Sequence, residues 1–341
     1  MAKRRKDVKM TAMFFLAALL VTVSIFTYYS DCCNPMKLTS YSEVSETIYG
    51  AKTNPQILDS STKYVMASSY VENKVREFAK NNEVDITPPT FEVEYNIITI
   101  TTDTPSFEDN IIGAVTDDCD ANPKLEFIGM IGKKSGIYPI KFVASDEAGN
   151  SFTRTVYYLY NLKPGNMKKP FVYSSEYGDV MIVNKKIPLP KGYNKGIKKV
   201  AKKQMKKMLA AIKKDGCGTV KIKSGFRSYK TQAKIFARYT RQEGSAEAAN
   251  RYSARPGYSE HQSGYAYDIG KISKSFAKTK AFTWLQEHAH EYGFIMRYPK
   301  DKEEITGYIY EPWHYRYVGV ELATEIKESG MTLEEFLKIK P

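Results

Sequence analysis

Residues 255–264 read RPGYSEHQSG, and residues 311–319 read EPWHYRYVG. These two stretches contain His261 and His314, and the whole chain of 341 residues has only 4 histidines. Together with Asp268 they form a ligand set that a catalytic zinc takes when its fourth position stays open for water. Glu311 stands in a Glu-x-x-His arrangement with His314, where a carboxylate can accept a proton from that water. The pattern therefore predicts a zinc hydrolase.

Two further stretches extend the pattern over the C-terminal half of the chain. Residues 224–229 read SGFRSY, and residues 293–299 read GFIMRYP. Taken in their order along the chain, the four stretches resemble the VanY-type D-alanyl-D-alanine carboxypeptidases. These are zinc peptidases of peptidase family M15 that trim peptidoglycan stem peptides. The resemblance implies an α+β domain of the Hedgehog/D,D-peptidase type, which we place at residues 168–335. Such a domain has a small antiparallel sheet packed against helices, with the metal at the open face of the sheet.

The resemblance also implies a role for each candidate site residue. One zinc ion would be held by three ligands: His261, Asp268 and His314. Glu311 would act as the catalytic base, and Arg227 would face the developing oxyanion, to which a guanidinium donates charge-assisted hydrogen bonds. Gln232 and Ser259 match polar positions that line the substrate cleft of the family. We therefore predict that both bind the peptide substrate.

The implied reaction is removal of a C-terminal D-alanine from a peptidoglycan stem peptide by attack of a zinc-bound water. The motifs do not separate a D,D-carboxypeptidase, which acts on the D-Ala-D-Ala end, from an L,D-carboxypeptidase, which removes the next D-alanine. The alternative from another class is a non-catalytic cell-wall peptide-binding or adhesion protein with the same fold. That alternative predicts that a metal ligand or the catalytic base has been replaced by another residue. His261, Asp268, His314 and Glu311 are all present.

The N-terminal sequence predicts a membrane segment. Residues 1–9 are rich in Lys and Arg, whereas residues 10–30 are uncharged and dominated by apolar side chains. A helix of that length rises about 1.5 Å per residue and spans the ~30 Å hydrocarbon core of a bilayer. The basic flank favours a cytoplasmic N-terminus. We therefore predict a single-pass signal anchor at the cell membrane with the catalytic domain on the cell-wall side; a cleaved signal peptide is the rival interpretation.

Two segments separate this anchor from the predicted catalytic domain. Residues 31–85 are polar with a helix-permissive stretch, which predicts a partly helical stalk; a disordered linker is the alternative. Residues 86–162 contain short runs of alternating or β-branched residues between turn formers, which predict a small all-β sandwich. The pattern Gly-x-Tyr at 136–138, followed by Asp146 and Gly149-Asn150, resembles the immunoglobulin-like modules of bacterial surface proteins. This resemblance implies a spacer or adhesive role.

The net charge of +13 bears on the class of partner. Between residues 196 and 214, lysines occupy the faces of a predicted amphipathic helix that its apolar stripe leaves open. These lysines are interpreted most simply as a solvated face, and attraction to cell-wall polyanions is the sharper alternative. Export would remove nucleic acid as a partner, so none is predicted.

Overall fold

The computed structural model describes residues 85–341 and, before them, Asn73 alone. Contacts between residues gather Ile86–Pro341 into one compact unit. The predicted cytoplasmic tail and membrane segment, residues 1–9 and 10–30, lie outside the described residues, as does nearly all of the predicted stalk. Within the part of the chain that the structure describes, no helix combines the length and the apolar character that a membrane crossing requires.

Residues 86–162, called the β-module below, contain two sheets. The strands are β1 (Thr90–Val93), β2 (Ile97–Ile100), β3 (Ile111–Thr116), β4 (Lys124–Ile128), β5 (Gly136–Ser145) and β6 (Ser151–Tyr160). β1 pairs with β3, and the second sheet has the order β2-β6-β5-β4. The pairings are antiparallel except for β2 with β6, which run parallel.

The core of the β-module lies between its two sheets. Phe91 of β1, Phe142 of β5 and Val156 of β6 belong to one buried cluster. Alternating or β-branched runs at residues 91–95, 97–102, 137–144 and 152–159 predict β1, β2, β5 and β6. β3 and β4 are not predicted, and none of their side chains is buried. The closer assignment as an immunoglobulin-like module stays a prediction.

Residues 168–341 contain both helices and strands. The strands are β7 (Val172–Ser175), β8 (Gly178–Met181), β9 (Ile222–Ser224), β10 (Ala266–Ile269), β11 (Phe294–Met296) and β12 (His314–Tyr317). The helices are α1 (Lys199–Lys214), α2 (Tyr229–Glu243), α3 (Ala246–Asn250), α4 (Lys280–His288), α5 (Glu303–Thr306), α6 (Val320–Ser329) and α7 (Leu333–Phe336). β7 and β8 form a hairpin, and the larger sheet has the antiparallel order β11-β12-β10-β9. The predicted α+β architecture is confirmed.

Helix α1 covers one face of this larger sheet. Its residues Met205, Met208 and Ile212 are fully buried and belong to the same cluster as Tyr267 of β10. The predicted amphipathic pattern therefore describes the helix, with two corrections. The sequence pattern places both Ile197 and Val200 in the apolar stripe, but they are 38% and 46% exposed. Ile197 precedes the helix, and in the first turn Ala201 takes the buried position instead of Val200.

A second cluster joins the β-module to the C-terminal end of the chain. Ile97 and Leu159 of the β-module are buried together with Leu333 and Ile339. Ile97 also forms a parallel β-bridge with Ile339, and the backbone amide of Lys340 donates to the carbonyl of Ile97 at 2.9 Å. The chain therefore returns to its own β-module after it has built the α+β part.

Candidate metal centre

The three predicted metal ligands meet beside the two central strands of the larger sheet. Asp268 on β10 lies opposite His314 on β12, in antiparallel register. His261 comes from a 3-10 helix, Glu260–Ser263, that immediately precedes β10. The three side chains are buried, and their ligand atoms all lie within 4.8 Å of one another. Strand pairing therefore places two of the candidate ligands, and the short helix brings in the third.

A sharp turn at Gly264 leads the chain from His261 into β10. Gly264 has a φ of 81°, in the left-handed region that glycine tolerates best. A Cβ at this position would lie 2.1 Å from the carbonyl oxygen of Gly196. The carbonyl oxygen of Gly264 accepts a hydrogen bond from the backbone amide of Lys198 at 3.0 Å. The close backbone approach requires glycine here and sets the position of His261.

The hydrogen bonds of each histidine determine which nitrogen can bind a cation. His261 Nδ1 lies 2.7 Å from the carbonyl oxygen of Gly225, which can only accept, so Nδ1 carries the hydrogen. His261 Nε2 is then left facing Asp268 Oδ2 at 3.1 Å. In His314, Nδ1 lies 3.1 Å from Asp268 Oδ1 and Nε2 lies 3.3 Å from Glu260 Oε2, so each ring nitrogen faces a carboxylate. Both rings therefore offer one nitrogen to the carboxylate of Asp268.

This donor set fits a zinc ion. Two imidazole nitrogens and one carboxylate are the ligands of an open catalytic zinc site. The second nitrogen of each ring has an acceptor of the kind that usually orients a zinc-bound histidine, a carbonyl for His261 and a carboxylate for His314. Burial by itself would lower the pKa of His314, but hydrogen bonds to Asp268 and Glu260 raise it to about 9. Burial instead lowers the pKa of His261, so the raised pKa of His314 reflects its two carboxylate neighbours.

Glu311 lies beside this centre without joining the group of potential ligands. Its Oε2 atom is 3.7 Å from His314 Nδ1, and the residue is buried. Burial raises the pKa of Glu311 to about 7, although the neighbouring His314 acts in the opposite direction. A carboxylate with a pKa near neutrality is suited to accept and return a proton. Its predicted role as catalytic base stays a prediction.

Arg227 also contacts the centre. It donates from Nη2 to Asp268 Oδ2 at 2.9 Å, from Nη1 to Gln232 Oε1 at 3.0 Å and from Nε to Ser224 Oγ at 3.1 Å. Its side chain keeps 21% of its surface exposed. The guanidinium is thus held in one orientation at the edge of the metal centre, with one partner that is itself a candidate ligand.

The two predicted substrate-binding residues are buried. Gln232 is 0% exposed, and its amide group is used within the protein, since Nε2 donates to the carbonyl of Ala254 at 2.7 Å. Ser259 is 3% exposed and stands directly before the short helix of His261. Gln232 therefore contacts Arg227 and orients its guanidinium. Ser259 lies at the N-terminal end of the short helix that carries His261. The contact of each with a substrate stays a prediction.

Sequence reasoning did not assign a role to the buried charges behind His314. Glu260 Oε1 accepts from Arg297 Nε at 2.8 Å and from Arg316 Nη1 at 2.9 Å, and all three residues are 1% exposed. Arg297 also pairs with Glu334 of α7. Glu260 and the two arginines lie inside the motif stretches, so their position marked them. Glu334 lies outside these stretches, and no local signal indicates its contact with Arg297.

Aromatic rings close the centre on another side. The ring of Tyr298 lies 4.8 Å from that of His314, and the ring of Tyr308 lies 4.5 Å from that of Tyr298. The ammonium of Lys185 lies over Tyr308 at 4.0 Å from the ring centroid. Burial lowers the pKa of Lys185 to about 8. The stack shields His314 from water on this side, and sequence analysis gave no indication of Lys185.

Comparisons with known proteins identify the family of this part of the chain. The family model VanY, D-alanyl-D-alanine carboxypeptidase, matches residues 194–320. The chain is 35% identical over 187 residues to a D-alanyl-D-alanine carboxypeptidase of Enterococcus faecalis, and the match covers 48% of this chain and 69% of that protein. It is 44% identical over 148 residues to YodJ of Bacillus subtilis, covering 42% of this chain and 54% of YodJ.

A solved structure, that of the LdcB LD-carboxypeptidase, has 45% sequence identity and a TM-score of 0.47; the match covers 52% of this chain and 95% of that one. The chain thus spans about half of YodJ and about two thirds of the enterococcal relative. Residues 194–320, which the family model matches, include Glu311 and the three ligands of the centre described above, His261, Asp268 and His314. On the strength of the enterococcal match and the family model, this chain belongs to the VanY family of D-alanyl-D-alanine carboxypeptidases.

Proposed function

We propose that this protein is a zinc-dependent carboxypeptidase that removes a C-terminal D-alanine from peptidoglycan stem peptides. A D,D-carboxypeptidase is the principal form of the proposal, and an L,D-carboxypeptidase is its close variant. The observation that carries it is the convergence of His261 Nε2 and His314 Nδ1 on Asp268, with the Glu311 carboxylate 3.7 Å from His314. Membership of the VanY family supports the choice of substrate.

His261, Asp268 and His314 would hold one zinc ion. When bound, zinc supplies a Lewis acid that lowers the pKa of a water molecule and polarises a carbonyl oxygen. Glu311 accepts the proton that the water loses as its oxygen attacks the carbonyl carbon of the terminal peptide bond. Glu311 then returns this proton to the nitrogen of the leaving D-alanine as the C–N bond breaks. The products are a shortened peptide with a new carboxylate and free D-alanine.

Arg227 supplies positive charge at the same place. Gln232 and Ser224 hold its guanidinium in a fixed orientation, with Nη2 directed at Asp268. Hydrogen bonds from a preorganised cation strengthen as negative charge develops on the carbonyl oxygen of the substrate. Two of its three partners, Gln232 and Asp268, are buried, which limits the competition from water on that side of the guanidinium. We assign Arg227 to stabilise the oxyanion.

The remaining parts of the proposal concern the setting of the enzyme. Residues 10–30 would anchor the chain in the cell membrane, and residues 168–335 would act on the cell-wall side. The β-module, as an immunoglobulin-like spacer, would hold the site away from the membrane together with the stalk at residues 31–85. The exposed lysines of α1 support an attraction to anionic cell-wall polymers.

The test is a turnover assay with the purified full chain. Pentapeptide and tetrapeptide muropeptides are incubated with the zinc-loaded protein, with and without chelator, and product masses are followed. Chelator-sensitive loss of one alanine from the pentapeptide supports a D,D-carboxypeptidase, and loss from the tetrapeptide alone supports the L,D variant. A folded, zinc-loaded chain that cleaves neither peptide overturns the proposal and favours a peptide-binding protein.

A further inference from the structure

Glu334 is a buried carboxylate that lies outside every motif of the metal centre. It is on the short helix α7, close to the C-terminus, and is 1% exposed. Both of its oxygens accept from the guanidinium of Arg297, Oε2 from Nη1 at 2.7 Å and Oε1 from Nη2 at 2.5 Å. A bidentate pair of this kind fixes the plane of the guanidinium as well as its position.

The fixed guanidinium of Arg297 is connected to the metal centre through Glu260. With Nη1 and Nη2 held by Glu334, the remaining donor Nε of Arg297 points at Glu260 Oε1, 2.8 Å away. The other oxygen of Glu260 accepts from His314 Nε2 at 3.3 Å. Glu334, Arg297 and Glu260 therefore form an unbroken series of hydrogen bonds that ends on a candidate metal ligand.

We propose that Glu334 is a positioning residue for His314, acting through Arg297 and Glu260. This inference rests on the proposed function, in which His314 binds zinc through Nδ1. The acceptor at Nε2 keeps the hydrogen of the ring on that nitrogen, and it also sets the rotation of the ring. Partners of this type usually change metal affinity about 10- to 100-fold when they are removed.

The effect of losing Glu334 follows from burial. In Glu334→Gln the amide oxygen accepts from only one of the two N–H groups of Arg297, and the amide NH2 faces the other, in a place that is 1% exposed to water. The guanidinium then turns toward Glu260, the nearest remaining anion, and draws its carboxylate away from His314. Arg316 does not replace the lost restraint, because its other donors are held by the backbone carbonyls of Met181 and Tyr317.

Helix α7 has supports that do not involve Glu334. Thr332 and Glu335 form a capping box at its N-terminus, and Lys302 pairs with Glu335 at 2.7 Å. Leu333 and Leu337 are buried in the cluster shared with the β-module. A Glu334→Gln chain keeps these contacts, so the helix is expected to stay in place while the charge on the carboxylate is lost.

The experiment compares the full chain with Glu334→Gln and with Glu328→Gln, a matched control at an exposed position of α6. Zinc affinity is measured by competition with a chelating dye, and the visible spectrum of the Co²⁺-loaded proteins reports the geometry of the ligands. We expect Glu334→Gln to weaken zinc binding at least 10-fold and to shift the Co²⁺ spectrum, with no change in Glu328→Gln. An affinity within 2-fold of the parent, together with an unchanged spectrum, overturns the inference.

Two further results keep the outcome unambiguous. If the parent chain itself binds no zinc, the proposed function fails, whereas a parent that binds zinc as tightly as Glu334→Gln refutes only the role of Glu334. If Glu334→Gln does not fold without metal, the double variant Arg297→Met, Glu334→Leu removes both charges and fills the space with apolar side chains. We expect this folded variant to remain at least 10-fold weaker for zinc, because Arg316 alone then orients Glu260. Parental affinity in it contradicts the proposal.

Discussion

Glu311 has a pKa of about 7, raised chiefly by burial, whereas an unfolded glutamate titrates near 4.3. The unfolded chain therefore loses this proton at lower pH than the folded chain, and the metal-free protein loses stability as the pH rises from about 4 to 7. Replacing Glu311 with Gln removes this penalty. We expect Glu311→Gln to stabilise the metal-free chain by about 1 kcal/mol at pH 5 and about 3 kcal/mol at pH 8, measured by urea unfolding in chelator.

The same substitution removes the proposed base, so we expect turnover of the zinc-loaded chain to fall by about 10²- to 10⁴-fold. Glu304→Gln, at an exposed position of α5, is the control and should change neither quantity. A stability difference between Glu311→Gln and the parent that is the same at pH 5 and pH 8 contradicts the buried, protonated state of Glu311.

The protonation of His314 determines how many protons are released when zinc binds. Its pKa of about 9 results from hydrogen bonds to Asp268 and Glu260 that outweigh the effect of burial. The ring is thus charged in the metal-free chain at pH 8 and neutral at pH 10, and a metal ion can bind only the neutral ring. We expect calorimetry in buffers of different ionisation enthalpy to show roughly 0.8 more protons released per zinc at pH 8 than at pH 10. Equal release at the two pH values refutes a charged His314.

At the scale of elements, the turn between the 3-10 helix of His261 and β10 depends on one close backbone contact. Gly264 and Gly216 both have left-handed φ angles, 81° and 71°. A Cβ at Gly264 would meet the carbonyl of Gly196 at 2.1 Å, whereas a Cβ at Gly216 would meet nothing within 4 Å. The two glycines therefore separate the cost of backbone conformation from the cost of the clash.

We expect Gly216→Ala to lower the free energy of unfolding by about 1 kcal/mol and Gly264→Ala to lower it by about 3 kcal/mol or more. Gly264→Ala should also weaken zinc binding, because the clash displaces the turn that carries His261. Denaturant unfolding and dye competition measure the two effects. Equal losses of stability in the two variants would show that the Gly264 turn shifts without strain.

At the scale of the whole molecule, the β-module is attached to the end of the chain. The backbone amide of Asn96 donates to the carbonyl of Lys338 at 2.7 Å, and its side chain donates to the carbonyl of Leu337 at 3.2 Å. Asn96 Oδ1 accepts from Arg154 Nε at 3.1 Å. Together with the shared apolar cluster, these bonds predict that residues 86–341 unfold in one cooperative transition.

Asn96→Ala tests this coupling. The substitution leaves the carbonyl of Leu337 and the guanidinium of Arg154 without these partners, and we expect it to cost about 1–3 kcal/mol. Native-state hydrogen exchange should show the loss in α7 as well as in β2 and β6, whereas Asn122→Ala, at an exposed loop position, should change neither region. A loss confined to the β-module would mean that the two parts unfold independently.

The sequence predicted the family, and the comparisons confirm it, because the residues that perform the chemistry lie in short contiguous stretches. The turn at Gly264 and the helix α1 are each encoded within a few residues, the first by a glycine and the second by an amphipathic period. Signals of this kind depend on neighbouring residues and can therefore be recognised without knowledge of the rest of the fold. The strands β3 and β4 were missed because neither has a buried side chain, and the alternation in β4 is only between exposed and half-buried positions.

By itself, therefore, the sequence determined the family, the α+β class and the set of residues that could hold a metal. Only the tertiary structure decided which imidazole nitrogen of His261 and of His314 faces Asp268, that Gln232 is buried against Arg227, and that Glu334 reaches Arg297 from the C-terminal end. These contacts join residues far apart in the chain, such as Arg297 and Glu334 or Ile97 and Ile339. Their geometry depends on how strands pair and helices pack, and no local run of residues encodes it.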